Sequence, residues 1–421
     1  MSRRPKQQAL ALRMQPIAPG ERRPVEVIKV DRPTPDDLGP GDVLVRVKRV
    51  MVCRTDREIA TTPGHGTPTR GCEPYARILH EAGGQILARG SEVPGTLQDG
   101  DWVSLLVRQG AGCPACEAGL PQRCYRWQED ITEFGIFHTP GFGCETVIVP
   151  HTHAVPLPPG LDPAYGSFGE PASIGGHALG RCWHIARGSQ YPERWDQPER
   201  WNPPFWGLPW GARRKPVVLF LGAGGVALPS IPLFLREGFD CIVAAWTRRD
   251  PRALKQRLID QLGARYVSLQ DFIEIPDPDD RSRWNWHLDA MKRLVPEGFF
   301  DAVVDMCGDS ETVLRALAQL HAPGTLFMLS SITAGSRPVS IDADRLLYDL
   351  VMNNAQIAGI VNAERLHFRL GLEGLKYACE LHDDWPAQLL THRFDNLEEM
   401  SRTFWDVLDD HRTIRAHLDF F

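Results

Sequence analysis

The 421-residue sequence predicts an α/β protein built from two domains. Three observations support this fold class. The chain is too long for one ordinary hydrophobic core, so two domains are expected. Its first half contains short β-rich runs separated by glycine, proline and aspartate. Its second half contains strands that alternate with helices, which is the pattern of a doubly wound parallel sheet.

The β-rich half contains three runs of aliphatic and β-branched residues, at 43–52, 101–107 and 145–150. Turn-forming residues bound each run, so each is predicted to be a strand. A helix is predicted to leave this region from Pro171. Residues 189–216 then combine six prolines with four tryptophans. Prolines at this density exclude a regular helix or a central strand, so we expect an irregular insertion that packs on the protein or on another subunit.

The second half begins with a buried strand that runs into a glycine turn at 217–227. A second strand is predicted at 240–246 and a third at 300–308, each followed by an amphipathic helix. Ser310 is the expected N-cap of the helix after the third strand. The predicted domains are residues 1–188 with 353–421, the insertion 189–216, and the parallel-sheet domain 217–352.

Composition and charge exclude several classes of protein. The net charge is −6 and no basic stripe is evident, so a nucleic-acid partner is not expected. No window approaches the roughly 20 apolar residues that span a bilayer, so no membrane partner is expected. The N-terminal apolar run is too short and broken for a signal peptide. The ten cysteines are therefore expected to be free thiols or metal ligands in the cytoplasm.

A glycine turn predicts a dinucleotide site. Gly222, Gly224, Gly225 and Ala227 fit the pattern G-x-G-x-x-G/A, and they stand between a predicted strand and a predicted helix. Glycines let the backbone approach a pyrophosphate, and the helix N-terminus supplies amide donors. A tight turn without a ligand is the alternative.

The end of the second strand bears on which dinucleotide is bound. The sequence there is Trp246, Thr247, Arg248, Arg249 and Asp250. Two guanidinium groups suit the 2′-phosphate of NADP, which arginine binds with charge-assisted, bidentate geometry. Asp250 would instead serve the 2′-hydroxyl of NAD. NADP is therefore predicted, with NAD as the alternative cofactor.

The run His80-Glu81-x-x-Gly84-x5-Gly90-x-x-Val93 resembles the signature of zinc-type alcohol dehydrogenases. Upstream, residues 53–58 resemble that family's Cys-Arg-Ser-Asp element, and downstream Glu170-Pro171 resembles its Glu-Pro element. The chain is thus similar to medium-chain dehydrogenase/reductases over most of its length. The resemblance implies a GroES-like β-rich catalytic domain and a Rossmann domain.

The resemblance also implies a catalytic zinc. Its implied ligands are Cys53, His80 and Glu170, with Glu81 as a fourth ligand or an exchange partner for water. Such a donor set leaves one position open for a substrate oxygen. Thr55 is implied to relay the proton of the reacting hydroxyl, with Glu58 or bulk water beyond it.

One residue departs from the signature. Position 79 is leucine where the family has glycine. A side chain at a glycine position is expected to shift the local backbone of the turn that presents His80.

Within the superfamily, the chain most resembles NADP-dependent glucose dehydrogenases of the archaeal type. The resemblance rests on residues 53–59, 246–250, 132–136 and 358–363. It implies that Glu133 and Asn362 bind a sugar or polyol substrate. The alternatives are a reductase or dehydrogenase of a bulkier cyclic polyol or ketone, and a catalytically inactive NADP-binding protein. The resemblance further suggests a homo-oligomer, a dimer or a tetramer.

A second, incomplete zinc site is predicted at Cys113, Cys116 and Cys124. These resemble three of the four cysteines in the family's structural zinc loop. The first position of that loop is Gly110 in this chain, so a fourth donor such as Cys72 or a nearby carboxylate is needed. A loop that retains cysteines without binding zinc is the alternative.

Overall fold

A computed structural model gives the structure of the protein. It describes residues 7–14, 24–61, 76–126, 132–186, 215–295, 298–320, 324–330, 339–361 and 363–421. The predicted insertion at 189–216 therefore lies outside the described residues, apart from its last two positions.

The chain divides into two compact units. The first consists of Met1–Ser173, Asn362–Cys379 and Asp384–Phe421. The second consists of Ile174–Val361 and Glu380–Asp383.

Among the described residues the strands follow one another in two groups, one in each unit, and the last two strands return to the first unit. They are β1 Gln8–Met14, β2 Val25–Asp31, β3 Asp42–Val52, β4 Ala76–Arg77, β5 Glu81–Arg89, β6 Trp102–Leu105, β7 Glu133–Phe134, β8 His138–Thr139, β9 Thr146–Pro150, β10 Ala154–Pro156, β11 Val217–Leu221, β12 Asp240–Ala245, β13 Arg265–Ser268, β14 Ile273–Glu274, β15 Asn285–Trp286, β16 Ala302–Asp305, β17 Leu326–Leu329, β18 Gln356–Gly359, β19 Leu390–Phe394 and β20 Arg415–Asp419.

The α-helices of the described residues are mostly amphipathic and lie between or after these strands. They are α1 Arg54–Thr61, α2 Pro114–Glu117, α3 Gly169–Ala186, α4 Ala227–Arg236, α5 Leu254–Gln261, α6 Ser310–Leu320, α7 Ala343–Met352, α8 Arg365–Leu381 and α9 Leu397–Asp409.

A seven-stranded, mostly antiparallel sheet forms the centre of the first unit. Its order is β10-β6-β5-β3-β20-β19, and β9 also pairs with β3. Met51 in β3 lies opposite Glu81 in β5, and Val52 lies opposite Ala416 in β20. Because both pairings are antiparallel, the end of β3 lies beside the starts of β5 and β20. Three segments that are far apart in sequence therefore meet at one end of this sheet.

Six parallel strands form the sheet of the second unit, in the order β13-β12-β11-β16-β17-β18. Every residue of β11 is buried, as expected for a parallel strand covered on both faces. In chain order the sheet reads 3-2-1-4-5-6, so the order reverses between β11 and β16. Ligands of such sheets bind beyond the carboxyl ends of the strands at this reversal. The predicted α/β fold class, a GroES-like unit with a Rossmann unit, is confirmed.

Two details differ from the sequence analysis. The side chain of Asp309, not Ser310, accepts the backbone N–H of Thr312 and so caps α6. Ser310 is already the first helical residue. The predicted domain boundaries also lie elsewhere. The first unit ends its first segment at Ser173 rather than at residue 188, and the second unit extends to Val361 rather than to residue 352, because β18 pairs with β17 as the sixth strand of the parallel sheet. Among the described residues, no helix combines the length and the apolar character needed to cross a bilayer.

Candidate metal and cofactor sites

Three potential metal ligands of the first unit meet at the end of β3. Cys53 follows β3, and His80 and Glu81 stand at the start of β5. The Cys53 Sγ atom, a ring nitrogen of His80 and a carboxylate oxygen of Glu81 lie within 4.8 Å of one another. All three residues are buried. The antiparallel pairing of β3 with β5 thus assembles a thiol, an imidazole and a carboxylate.

Asp56, in the first turn of α1, supports two of these residues. Its carboxylate accepts the backbone N–H of Cys53 at 2.8 Å. Its other oxygen lies 3.6 Å from Nδ1 of His80. Burial lowers the pKa of His80, but the charge and contact of Asp56 outweigh burial and raise the pKa well above its usual range. Nδ1 of His80 faces the Asp56 carboxylate at a distance longer than a hydrogen bond, so Nε2 would be the ring nitrogen offered to a metal.

Glu81 is held by a buried arginine. Nη1 of Arg415 donates to both carboxylate oxygens of Glu81, at 2.7 and 2.8 Å. Arg415 is the first residue of β20, and both side chains are almost fully buried. The guanidinium compensates the buried negative charge of Glu81 in the absence of a metal ion.

Glu170, in the first turn of α3, lies beside Glu81 but outside the 4.8 Å group. Burial, followed by the negative charge of Glu81, raises the pKa of the Glu170 carboxyl to about 7. Burial and the charge of Glu81 also raise the pKa of the Cys53 thiol. A bound cation would reverse these effects, because it stabilises the thiolate and the carboxylate together. The donor set therefore fits a zinc ion.

The two predicted catalytic residues belong to α1. The hydroxyl of Thr55 lies 3.7 Å from the Sγ atom of Cys53, so it borders the donor group. The side chain of Glu58 lies outside the described residues.

Leu79 has a backbone conformation that normally favours glycine. Its φ is 74°, in the left-handed region, and its side chain is fully buried in the core of the first unit. The expected backbone shift relative to a glycine at this position stays a prediction. Packing of the leucine side chain offsets the strain of about 1–2 kcal/mol that a β-carbon adds in this conformation.

The predicted sugar-binding segment lies against Leu79. A β-carbon added to Gly135 would lie 2.7 Å from the carbonyl oxygen of Leu79, so residues 132–136 pass close to this turn. Just after that segment, Phe142 N–H donates to the same carbonyl at 2.8 Å. Glu133 is buried, and its carboxylate accepts from Nε of Arg108 at 2.7 Å. The second predicted substrate residue, Asn362, lies outside the described residues.

The three cysteines of the second predicted zinc site do come together. The Sγ atoms of Cys113, Cys116 and Cys124 lie within 4.8 Å of one another. Burial raises the pKa of Cys113, but backbone N–H groups lower it to about 7. Gly110 has a φ of 72°, and the Sγ atom of Cys116 occupies the space of any side chain there. Cys72, the proposed substitute, lies outside the described residues.

In the second unit, the predicted dinucleotide turn follows β11 and opens α4. Gly222 has a φ of 116°, and an added β-carbon would lie 2.8 Å from the Met306 carbonyl oxygen. Only glycine fits there. A β-carbon on Gly224 would meet no atom within 4 Å, so its backbone faces open space. Gly225 follows directly, and α4 begins at Ala227. This turn fits a pyrophosphate.

The residues predicted to bind the 2′-phosphate follow β12 and are exposed: Thr247, Arg248 and Arg249. Their two guanidinium groups differ in environment. Arg249 donates to the Tyr266 carbonyl and pairs with the Asp260 carboxylate at 3.3 Å. Arg248 Nε donates to the side chain of Gln270 at 3.0 Å, and no carboxylate of the described residues pairs with it.

Two family models match the chain. The alcohol dehydrogenase GroES-like domain matches residues 39–159, and the glucose dehydrogenase C-terminus matches residues 290–420. In both matched segments the chain is similar to medium-chain dehydrogenase/reductases. It is 27% identical to a glucose 1-dehydrogenase of Methanocella arvoryzae over 89% of this chain and 90% of that protein. It is 26% identical to glucose 1-dehydrogenase 2 of Vulcanisaeta moutnovskia, over 94% of this chain and 97% of that one.

Two solved dehydrogenase structures share the fold. Glucose dehydrogenase of Haloferax mediterranei, in complex with NADP, Zn and gluconolactone, superposes with a TM-score of 0.73 at 20% identity. That match covers 98% of this chain and 99% of the other. Galactitol-1-phosphate dehydrogenase of Escherichia coli has a TM-score of 0.67 at 17% identity, covering 97% of this chain and 99% of its own.

Two supporting residues of the metal site were not singled out from the sequence. Asp56 belongs to residues 53–58, which resemble the family's Cys-Arg-Ser-Asp element. No local sequence pattern shows that Asp56 faces His80. Arg415 is 334 positions from Glu81, so no sequence pattern joins them. For Asp56, a signal existed in its spacing of three residues from Cys53.

Leu79 offers a test of the strained turn. We expect Leu79→Gly to lower the free energy of unfolding by about 2 kcal/mol, because the lost core packing exceeds the strain that is relieved. Leu79→Ala should destabilise more, since it loses the packing and keeps a β-carbon in the left-handed region. Urea unfolding of the variants measures both values. If the glycine variant were less stable than the alanine variant, the claim that a β-carbon at position 79 is strained would be refuted.

The buried ion pair offers a second test. Arg415→Met should destabilise the metal-free protein by about 3–5 kcal/mol, because Glu81 would keep an uncompensated buried charge. The double change Glu81→Leu with Arg415→Met should recover most of that loss. Thermal unfolding of chelator-treated protein measures the difference. Equal losses for the single and double variants would refute the charge argument.

Proposed function

We propose that this protein is an NADP-dependent zinc dehydrogenase that oxidises a sugar at its anomeric carbon, as a glucose dehydrogenase does. The observation that carries the proposal is the buried group of Cys53, His80 and Glu81, with donor atoms within 4.8 Å of one another. The matches to glucose 1-dehydrogenases along nearly the whole chain support the substrate class. The same matches do not favour a bulkier cyclic polyol or ketone, or an inactive NADP-binding protein.

Cys53, His80 and Glu170 would hold the zinc, with Glu81 as a fourth ligand or as an exchange partner for water. When bound, zinc supplies a Lewis acid at an open position and NADP supplies the hydride acceptor. Asp56 orients His80 through Nδ1. Arg415 moderates the negative charge of Glu81 and Glu170, which lie side by side.

Thr55 would take the proton of the reacting sugar hydroxyl, because its own hydroxyl borders Cys53. Glu58 or bulk water would then receive that proton. The sugar loses this proton and a hydride from the anomeric carbon, and the product is a lactone. Glu133 and Asn362 would bind other hydroxyls of the substrate, and the ion pair with Arg108 holds the Glu133 carboxylate in place.

Cofactor choice follows from the residues after β12. The glycine turn would hold the pyrophosphate, and Arg248 would bind the 2′-phosphate of NADP. Thr247 and Arg249 would border the same phosphate. A reducing compartment such as the cytoplasm is proposed as the location, because all nine cysteines among the described residues are free thiols.

Zinc content and turnover test the proposal together. Purified protein should contain about one zinc per chain, or about two if the three-cysteine site is also filled. It should reduce NADP with glucose or a related aldose in a sugar panel. His80→Gln should lose the catalytic zinc and the activity. His411→Gln is the matched control, because His411 is fully exposed to solvent.

Absence of zinc together with absence of turnover on every sugar would refute the enzyme proposal. Zinc and turnover with a different alcohol, but not with any aldose, would refute only the substrate.

A homodimer is proposed as the minimal assembly. Six large apolar residues are exposed on α7, on the outer strand β18 of the parallel sheet, and two residues beyond that strand: Leu347, Tyr348, Val351, Met352, Ile357 and Val361. Four of them lie on α7 at the spacing of one helix face. The outer edge of β18 also pairs with no other described strand. A second copy related by twofold symmetry would cover both features.

Val351→Glu should convert the dimer to a monomer, because it places a charge within that apolar surface, where Val351 is 74% exposed. Size-exclusion chromatography with light scattering measures the mass. Leu87→Glu, at an exposed apolar residue of the first unit, is the control and should leave the assembly unchanged. A wild-type protein that is monomeric at all concentrations would refute the proposal.

A further inference from the structure

Two glutamines fix the segment that carries Arg248. The first is Gln256, in α5, whose side chain is almost fully buried. Its Nε2 donates to the carbonyl of Arg248 at 2.8 Å, and its Oε1 accepts the N–H of Asp250 at 2.7 Å. Gln256 therefore holds the backbone on both sides of Arg249.

The second glutamine, Gln270, contacts the arginine side chain itself. Its Oε1 accepts from Nε of Arg248 at 3.0 Å, and its Nε2 donates to the carbonyl of Trp246 at 2.7 Å. One amide thus joins the guanidinium to the backbone at the end of β12. Nε is the one nitrogen of Arg248 that donates to a described residue, so Nη1 and Nη2 are left for another acceptor.

Arg249 is engaged differently. Its terminal nitrogens donate to the Tyr266 carbonyl and to the Asp260 carboxylate. Asp260 places a negative charge beside Arg249, whereas the neutral amide of Gln270 orients Arg248 and places no opposing charge beside it. Of these two adjacent arginines, Arg248 therefore attracts an anion more strongly than Arg249 does.

We propose that Gln270 is a positioning residue for NADP recognition and that it acts through Arg248. This inference rests on the proposed use of NADP. Phosphate oxygens accept two parallel hydrogen bonds from the free Nη pair of an arginine. Holding Nε beforehand reduces the conformational entropy that Arg248 loses when the phosphate binds. Arg249 is assigned a structural role, in which it ties the segment to α5 and β13.

Direct binding tests the proposal without turnover. Adenosine 2′,5′-bisphosphate carries the 2′-phosphate of NADP, and AMP lacks it. Titration calorimetry on the full chain measures both affinities. Gln270→Ala should weaken binding of the bisphosphate about threefold to tenfold and leave AMP unchanged, which is the range expected for releasing one ordered side chain. Gln270→Glu should weaken the bisphosphate further, because a carboxylate neutralises Arg248 and repels the phosphate.

The coupling of the two residues gives the second readout. The double variant Arg248→Ala with Gln270→Ala should bind the bisphosphate as weakly as Arg248→Ala alone, since Gln270 acts through Arg248. Gln319→Ala is the matched control. Gln319 also bridges two backbone groups, of Trp286 and Leu288, but does not contact Arg248. It should leave both affinities unchanged.

Four results would overturn the proposal. Additive losses in the double variant, or an equal loss of AMP affinity in Gln270→Ala, would show that Gln270 only supports the fold. If Gln270→Ala left the affinity for the bisphosphate unchanged while Arg248→Ala lowered it, that result would refute the positioning role of Gln270, but not the use of NADP. A wild-type protein that binds AMP as tightly as the bisphosphate would refute NADP use itself, and this inference with it.

Discussion

The pairing of β3 with its neighbours is the constraint on which the metal site depends. β3 lies between β5 and β20, and the antiparallel register sets Met51 opposite Glu81 and Val52 opposite Ala416. Cys53 therefore emerges beside His80, and Arg415 reaches Glu81. A shift of one residue in either pairing would turn these side chains to the other face of the sheet. The register of the strands thus determines where the donor side chains lie.

Because the metal-site residues are buried, placing negative charges on them costs free energy. A thiol and two carboxyl groups lie close together with little access to water, and burial alone raises the pKa of Cys53 and Glu170. Arg415 compensates part of the charge, and Asp56 supports the imidazole. The arrangement favours a divalent cation, because a cation is the one addition that lets the thiolate and carboxylates be charged together.

In the second unit, the backbone geometry of the glycine turn shapes the predicted cofactor site. Glycine at 222 allows β11 to turn close to the chain after β16, and the order reversal of the sheet opens a crevice there. Specificity is then left to a short exposed segment after β12. Its two arginines differ in their partners: Arg248 contacts the neutral amide of Gln270, whereas Arg249 pairs with the carboxylate of Asp260.

The sequence alone predicted the fold class and the glycine turn, because both are local patterns of spacing and residue type. The predicted zinc ligands Cys53, His80 and Glu170, with Glu81 as a fourth ligand or exchange partner, came from the resemblance to a family. Only the tertiary structure decided that Arg415 pairs with Glu81, that Leu79 keeps a left-handed backbone, and that Arg248 and Arg249 have separate partners. Each of those depends on segments brought together by packing: a β-strand 334 positions away, a core that retains a leucine in a strained turn, and a glutamine from the next strand–helix connection.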